Sequence, residues 1–204
     1  MSTGEHPPTV VSFGEDVLDR MVWAGQRVGE RLERSTAALE QATITYALGG
    51  SNATAAWISL VDQSAVRQAR NVELILLRCD FEAVKSALEE NGFVAMIRKG
   101  EVRFLDGLEG KWRDAIEITF AGEPVLGASS DFVTPQPDEN ETISRQRILR
   151  LPSLIKHQLA RFRLDDSVDL RDMIEVGLVD HSWLDRLPPP LAARLQELLD
   201  NPDG

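Results

Sequence analysis

Along the first part of the chain, apolar residues recur at steps of three and four. Val17, Leu18, Met21, Val22, Val28 and Leu32 follow Phe13 in this way, which predicts an amphipathic helix reaching about residue 40. A short apolar run from Ile44 to Leu48 stops at Gly49-Gly50-Ser51. From Asn52 to Leu60 the spacing is helical again, with Ala53, Ala56, Trp57 and Leu60 on one face. This reads as strand, glycine turn, helix. Val72 to Leu77 is continuously apolar except at Glu73, the signature of a buried strand. Phe81, Val84, Ala87 and Leu88 predict a short helix that ends near Asn91-Gly92, a suitable C-cap pair.

Three further strands are expected at Phe93 to Ile97, Val102 to Leu105 and Ala115 to Phe120. Gly122 to Glu141 is rich in Gly, Ser, Pro and Asp and reads as a long surface loop, with a short strand at Phe132-Val133. After a strand-like Arg147 to Leu151 the pattern turns helical. One helix carries Leu154, Ile155, Leu159 and Phe162, and a second Val168, Met173, Ile174 and Val176. A last one carries Leu191, Leu195, Leu198 and Leu199, with Pro188 to Pro190 suited to its first positions. Residues 1–12 read as a loose leader. The expected organisation is a leader and helix over 1–40, an α/β core over 41–150 and a helical subdomain over 151–204. The fold class is α+β.

Charge and composition narrow the chemistry. Lys and Arg number 22 against 33 Asp and Glu, a net charge of −11, which disfavours non-specific nucleic-acid binding. One cysteine, Cys79, excludes an intramolecular disulfide framework and any CxxC metal site, and reads as a packing residue. The chain contains no apolar run long enough to span a membrane. MSTGEHPPTVV has neither the basic nor the apolar part of a signal peptide, so a cytoplasmic location is expected. His6, His157 and His181 lack metal spacing, and His157 beside Lys156 reads as a helix-surface residue. Trp23, Trp57, Trp112 and Trp183 form no stacking series and read as packing residues.

Three places carry candidate chemistry. Gly49-Gly50-Ser51, between a strand and a helix, suits either a tight turn or the close approach of a phosphate to a helix N-terminus. Asn71 and Glu73 sit two apart at the start of a strand and so share a face. They suit either oxygen ligation of a metal or a salt bridge to Arg67 or Arg70. Glu117, between Ile116 and Ile118, is expected to face outward and would join Glu73 if their strands are neighbours.

Taken together, these features resemble the nucleotidyltransferase superfamily, and more closely its small bacterial minimal and toxin–antitoxin-type members. The likeness runs from Tyr46 to Gly204. Its C-terminal part includes Leu151-Pro152-Ser153-Leu154-Ile155-Lys156, then Arg161, then Asp165 to Asp172. The resemblance implies a nucleotidyltransferase-like mixed sheet with flanking helices. Gly49, Gly50 and Ser51 would cradle the phosphates of an NTP, and Lys156 would reach the triphosphate. Asn71, Glu73 and Glu117 would stand at the catalytic positions that hold Mg2+ or Mn2+.

The family's Thr-x-Asp-x-Asp appears as Ala69-Arg70-Asn71-Val72-Glu73. One ligand position is thus a neutral amide, and two carry glutamates, longer by roughly 1.5 Å. The implied functions are transfer of a nucleoside monophosphate from NTP to a hydroxyl, or a catalytically inactive nucleotide-binding or protein-interaction module. The acceptor of a transfer would be a small molecule, a protein or an RNA. A protein partner would use the long N-terminal helix.

Between Ser144 and Leu164 lie Arg145, Arg147, Arg150, Lys156, Arg161 and Arg163, with no acidic residue among them. They would either form a positive wall beside phosphates or pair with the acidic stretch that follows, Arg161 meeting Asp165 at helical spacing.

Overall fold

The computed structural model describes residues 15–125, 128 and 131–202, with side chains from residue 25 onward. The leader expected over 1–12, Phe13, and the side chains of Val17, Leu18, Met21, Val22 and Trp23 lie outside the described residues.

Helix α1 spans Glu15–Gln41. Its second half buries Ala38 and Leu39, with Val28 and Leu32 packed on the same core. Strand β1 (Tyr46–Gly49) passes directly into α2 (Gly50–Ser59), the strand–turn–helix unit that the pattern predicts. The buried line of α2 differs from the expected one. Gly50, Ala53, Thr54 and Ile58 are buried, whereas Leu60 is 62% exposed. The reason is tertiary: α2 packs against both the sheet and the C-terminal helices, so polar Thr54 is drawn in. Trp57 stays half-buried and donates its indole N–H to the Leu149 carbonyl at 3.0 Å.

Strand β2 (Val72–Leu76) is buried along its whole length. Cys79 follows it in a short 3-10 turn and is exposed, because the chain there turns outward before α3 (Phe81–Glu90). The packing role expected for Cys79 is therefore corrected. Strands β3 (Phe93–Arg98), β4 (Glu101–Asp106) and β5 (Ile116–Phe120) lie where the apolar pattern puts them. The expected loop over 122–141 carries an isolated bridge between Pro124 and Val133. Its end belongs to β6 (Asn140–Ile143), a polar edge strand paired with β7 (Gln146–Leu149). Asn140, Glu141 and Thr142 hide β6 from a hydropathy reading, because only Ile143 of this strand is buried.

Three helices follow: α4 (Leu151–Arg161), α5 (Leu164–Glu175) and α6 (Pro189–Asp200). Phe162 is not the last residue of α4 but its cap, with φ of +49°. A six-residue 3-10 helix, His181–Arg186, precedes α6 and buries Trp183. No periodicity announces so short a turn.

Among the described residues the strands form one seven-stranded mixed sheet in the order β3-β4-β5-β2-β1-β7-β6. Strand β2 pairs antiparallel with β1 and parallel with β5, and β1 pairs parallel with β7. The α+β class with flanking and C-terminal helices is what the structure has. Tyr46 and Leu76 are register partners, and the Tyr46 hydroxyl donates to Glu40 of α1 at 2.9 Å. Side chains alternate along a strand, so Gly49 and Glu73 face the opposite side, where α4 lies. The two faces thus have separate helical cover, and Glu73 is on the face closed by the C-terminal helices.

Candidate functional site

One row across the sheet organises the site. Gly49 of β1 is the register partner of Glu73 on β2, Glu73 of Glu117 on β5, and Glu117 of Arg103 on β4. The structure therefore brings Glu73 and Glu117 side by side. It also reverses the outward placement expected for Glu117, which is 6% exposed, while Glu73 is 4% exposed. Like charges directly opposite on neighbouring strands repel. Burial away from water makes this worse, so the row requires cations.

Arginines supply them. Arg161 places Nη1 2.8 Å from Glu73 Oε2, and its Nε donates to the Asp166 carboxylate at 2.9 and 3.1 Å. Arg163 donates to Glu117 Oε1 at 2.9 Å, and Arg103 lies 3.1 Å from Glu117 Oε2. His157 Nε2 stands 3.3 Å from Glu73 Oε1, where the Thr119 hydroxyl also donates at 3.4 Å. Asn71 turns its amide N–H toward Glu117 Oε2 at 3.5 Å. Burial by itself would raise the Glu73 pKa. The Arg161 guanidinium and the hydrogen-bonded His157 outweigh it and hold Glu73 well below the usual carboxylate range.

Local chain geometry delivers these arginines. Helix α4 ends at Arg161, and the left-handed turn at Phe162 starts α5 at once. Arg161 and Arg163 flank the turn, and each reaches a different glutamate. The Asp166 side chain also accepts from the Arg163 backbone N–H at 2.9 Å, which fixes the start of α5. The helical Arg161–Asp165 pair expected from spacing does not form, because the helix breaks between the two residues. Asp166 takes that place.

The glycine turn meets the same carboxylate. Gly50 has φ of +53°, and a Cβ there would stand 2.7 Å from Glu73 Oε2. Both the backbone and the space call for glycine. Ser51, at the start of α2, donates its hydroxyl to Asp169 Oδ2 of α5 at 3.0 Å. Gln158 donates to the same oxygen at 3.0 Å and to Thr54 Oγ1 at 3.0 Å. Burial, together with Asp166 and Asp172, pushes the Asp169 carboxyl up to about 7 against the opposing Ser51 hydrogen bond and the Arg161 charge.

A cavity of about 240 Å³ opens beside Ser51 and Asn71, walled by Arg67 and Arg70 on one side and by Asp165 and Asp172 of α5 on the other. Arg67 pairs with Asp172 at 3.2 Å, not with Glu73. Lys156 is not brought to this cluster. It is exposed and lines a different cavity with Ser153, Phe132 and Pro188, to which none of Ser51, Asn71, Glu73 or Glu117 contributes.

The residues present do not fit a divalent cation. Mg2+ takes oxygen lone pairs in near-octahedral geometry, at about 2.0–2.1 Å. Here the carboxylate oxygens of Glu73 and Glu117 already face N–H or O–H donors, and Asn71 presents its amide nitrogen to the pair. Among the described residues, no three His, Cys, Asp or Glu side chains are grouped to hold a metal ion.

His157, expected on a helix surface, is 2% exposed and belongs to the site. Its neighbour Lys156 misled that reading: adjacent helical residues point about 100° apart, so one can be solvated while the other is buried. Arg103 carried no signal of its own, and Asp169 stood out only as part of the acidic stretch Asp165 to Asp172. The acid-free basic run did mark Arg161 and Arg163, which pair inward. Others in the run serve elsewhere: Arg147 stacks over the Tyr46 ring at 5.3 Å and Arg150 reaches the Asn140 carbonyl at 3.4 Å.

The sequence matches no known family model and no curated protein. Solved structures with similar chain paths include the solution structure of the antibiotic-resistance factor ANT(2'')-Ia, 12% identical over 85% of this chain and 82% of that one, with a TM-score of 0.45. The crystal structure of ANT(2")-Ia in complex with adenylyl-2"-tobramycin is 13% identical over 82% and 84%, with a TM-score of 0.42. An antigenic nucleotidyltransferase-like protein from Paracoccidioides brasiliensis is 15% identical over 88% and 89%, with a TM-score of 0.46. None of these likenesses assigns a function to this chain.

Proposed function

We propose that this chain is a nucleotidyltransferase-like protein that holds a phosphate-bearing ligand such as an NTP in its cleft and does not transfer the nucleotide. The observation that carries this reading is the buried Glu73–Arg161–Asp166 bridge. Phosphoryl and nucleotidyl transfer depend on metal ions that neutralise the phosphates and orient the attacking hydroxyl. A guanidinium fixed between two carboxylates neutralises the ligand set permanently. It offers no open coordination position to a phosphate or a hydroxyl.

Binding draws support from the other side of the cleft. The 240 Å³ cavity is lined by Ser51 and Asn71 and by the exposed side chains of Arg67 and Arg70. An anion there meets the Arg70 guanidinium and that of Arg67, which also pairs with Asp172, without any metal. Asp169, bound to Ser51, occupies the position at the start of α2 that the resemblance would give to phosphate. The phosphates therefore lie toward Arg67 and Arg70.

Calorimetric titration with each of the four NTPs, with Mg2+ and with chelator, tests this, run beside a labelled-NTP transfer assay. The expected result is saturable binding of at least one NTP that chelator leaves unchanged, with no labelled product. Mg2+- or Mn2+-dependent labelling that Glu73→Ala abolishes would establish transfer instead. Absence of binding by every NTP would leave the protein-interaction reading.

A further inference from the structure

Across the 66–71 segment from the cleft lies a second cavity, of about 400 Å³, between α1 and the segments that lead into β2 and β5. Arg27, Arg31, Arg70 and Arg113 line it, and Asp114 is the one acidic residue that does. Counting Asp106, which pairs with Arg31 from beside the hollow, four guanidinia face two carboxylates, an excess of two positive charges in a chain whose net charge is −11.

Arg31 is the unusual member. It is 4% exposed, yet its Nε and Nη1 have no hydrogen-bond acceptor among the described residues. Its charge partner, Asp106, lies 3.5 Å from Nε and is also hydrogen-bonded by Arg34. Buried donors without acceptors are costly, more so on a charged group. Burial lowers the Arg31 pKa, and Arg27 and Arg34 add to this against the pull of Asp106 and Asp114. Asp106 and Asp114 lie near enough to act on its charge, but neither accepts a hydrogen bond from Nε or Nη1.

We infer that this cavity is a second anion site, which takes a phosphate-bearing ligand of the size and charge of a diphosphate on Arg27, Arg31 and Arg113. Planar guanidinia match phosphate oxygens in pairs, and a diphosphate's charge suits this excess of positive charge better than a single carboxylate would. The volume falls within the roughly 300–1,000 Å³ of ordinary ligand pockets. Gln68 completes the wall and lies across Gly25, where any Cβ would collide with its amide. The two cavities share Arg70 and Gln68 in their walls, but Arg113 and Arg27 do not line the cleft and Arg67 does not line this cavity, so variants at these three separate the two sites.

Inorganic pyrophosphate and ADP, titrated at low ionic strength into the full chain and its variants, provide the test. Arg31→Gln removes the buried donors but endangers the fold, so Arg27→Gln and Arg113→Gln on the rim serve beside it. Each rim variant is expected to weaken pyrophosphate binding about tenfold or more, while Arg186→Gln, on the distant 3-10 helix, leaves it unchanged. Under that outcome, ADP bound more tightly than pyrophosphate marks a nucleotide as the ligand, and equal affinity marks a free phosphate. Binding that survives both rim substitutions, binding lost only on Arg67→Gln, or no binding at all overturns the site.

Discussion

Arg161 joins Glu73 on the sheet to Asp166 on α5, with all three side chains almost fully buried. Removing one partner from such a bridge leaves uncompensated charge, so Arg161→Met should cost about 3–5 kcal/mol in urea denaturation at neutral pH. Two carboxylates of the site pull stability in opposite pH directions. Glu73 has a depressed folded-state pKa; its contribution is present above its unfolded pKa and is lost as pH falls. Asp169 has a raised one. It favours the folded state while protonated, and that advantage is lost as pH rises from about 4 through its folded value of about 7. Stability should therefore fall between about pH 5 and pH 8. Asp169→Asn keeps an acceptor for Ser51 and Gln158 and should flatten that fall, gaining about 1–3 kcal/mol at pH 8 and little at pH 5. Thermal melts across this range check it; a wild-type curve that rises toward pH 8 would contradict the assignment.

At the scale of the element, the β1–α2 junction and α1 carry the sharpest expectations. Gly50→Ala places a methyl group against the Glu73 carboxylate in a left-handed backbone. It should cost about 1–3 kcal/mol, measured against Gly29→Ala, where nothing lies near the added carbon. Helix α1 reads in sequence as an amphipathic surface that suits either a protein partner or the protein's own core. In the structure its second half packs Ala38 and Leu39 into the core, and Arg31 and Arg34 reach Asp106 of β4. Deleting residues 15–41 should leave the protein insoluble or molten in near-ultraviolet circular dichroism. A well-folded truncated chain would return the helix to the partner role.

Across the whole molecule, bonds between distant parts of the chain tie the C-terminal helices to the sheet: Arg161 to Glu73, Asp169 to Ser51, and Trp57 to the Leu149 carbonyl. Tryptophan fluorescence and far-ultraviolet circular dichroism should therefore report one coincident unfolding transition. An early, separate loss of helix would mean that the helices fold on their own. The positions of β1, α2, β2, α3, β3, β4 and β5 were legible in the sequence, because apolar periodicity and glycine punctuation are local properties of neighbouring residues. So were Glu73, Asn71, Glu117 and the Gly49-Gly50-Ser51 turn as candidate chemistry. Strand order, and with it the meeting of Glu73 and Glu117, was not, since pairing joins residues 44 apart with no local mark. The partners of those glutamates were hidden for the same reason: the Phe162 turn aims Arg161 and Arg163 at them across 88 and 46 residues of chain. The sequence by itself determined the apolar strands and the periodic helices, though not the polar β6 or the short 3-10 helix, and where carboxylates interrupt them. Only the tertiary structure decided that those carboxylates face guanidinia rather than a metal ion, because charge compensation in a buried site depends on which side chains the fold brings within hydrogen-bond reach.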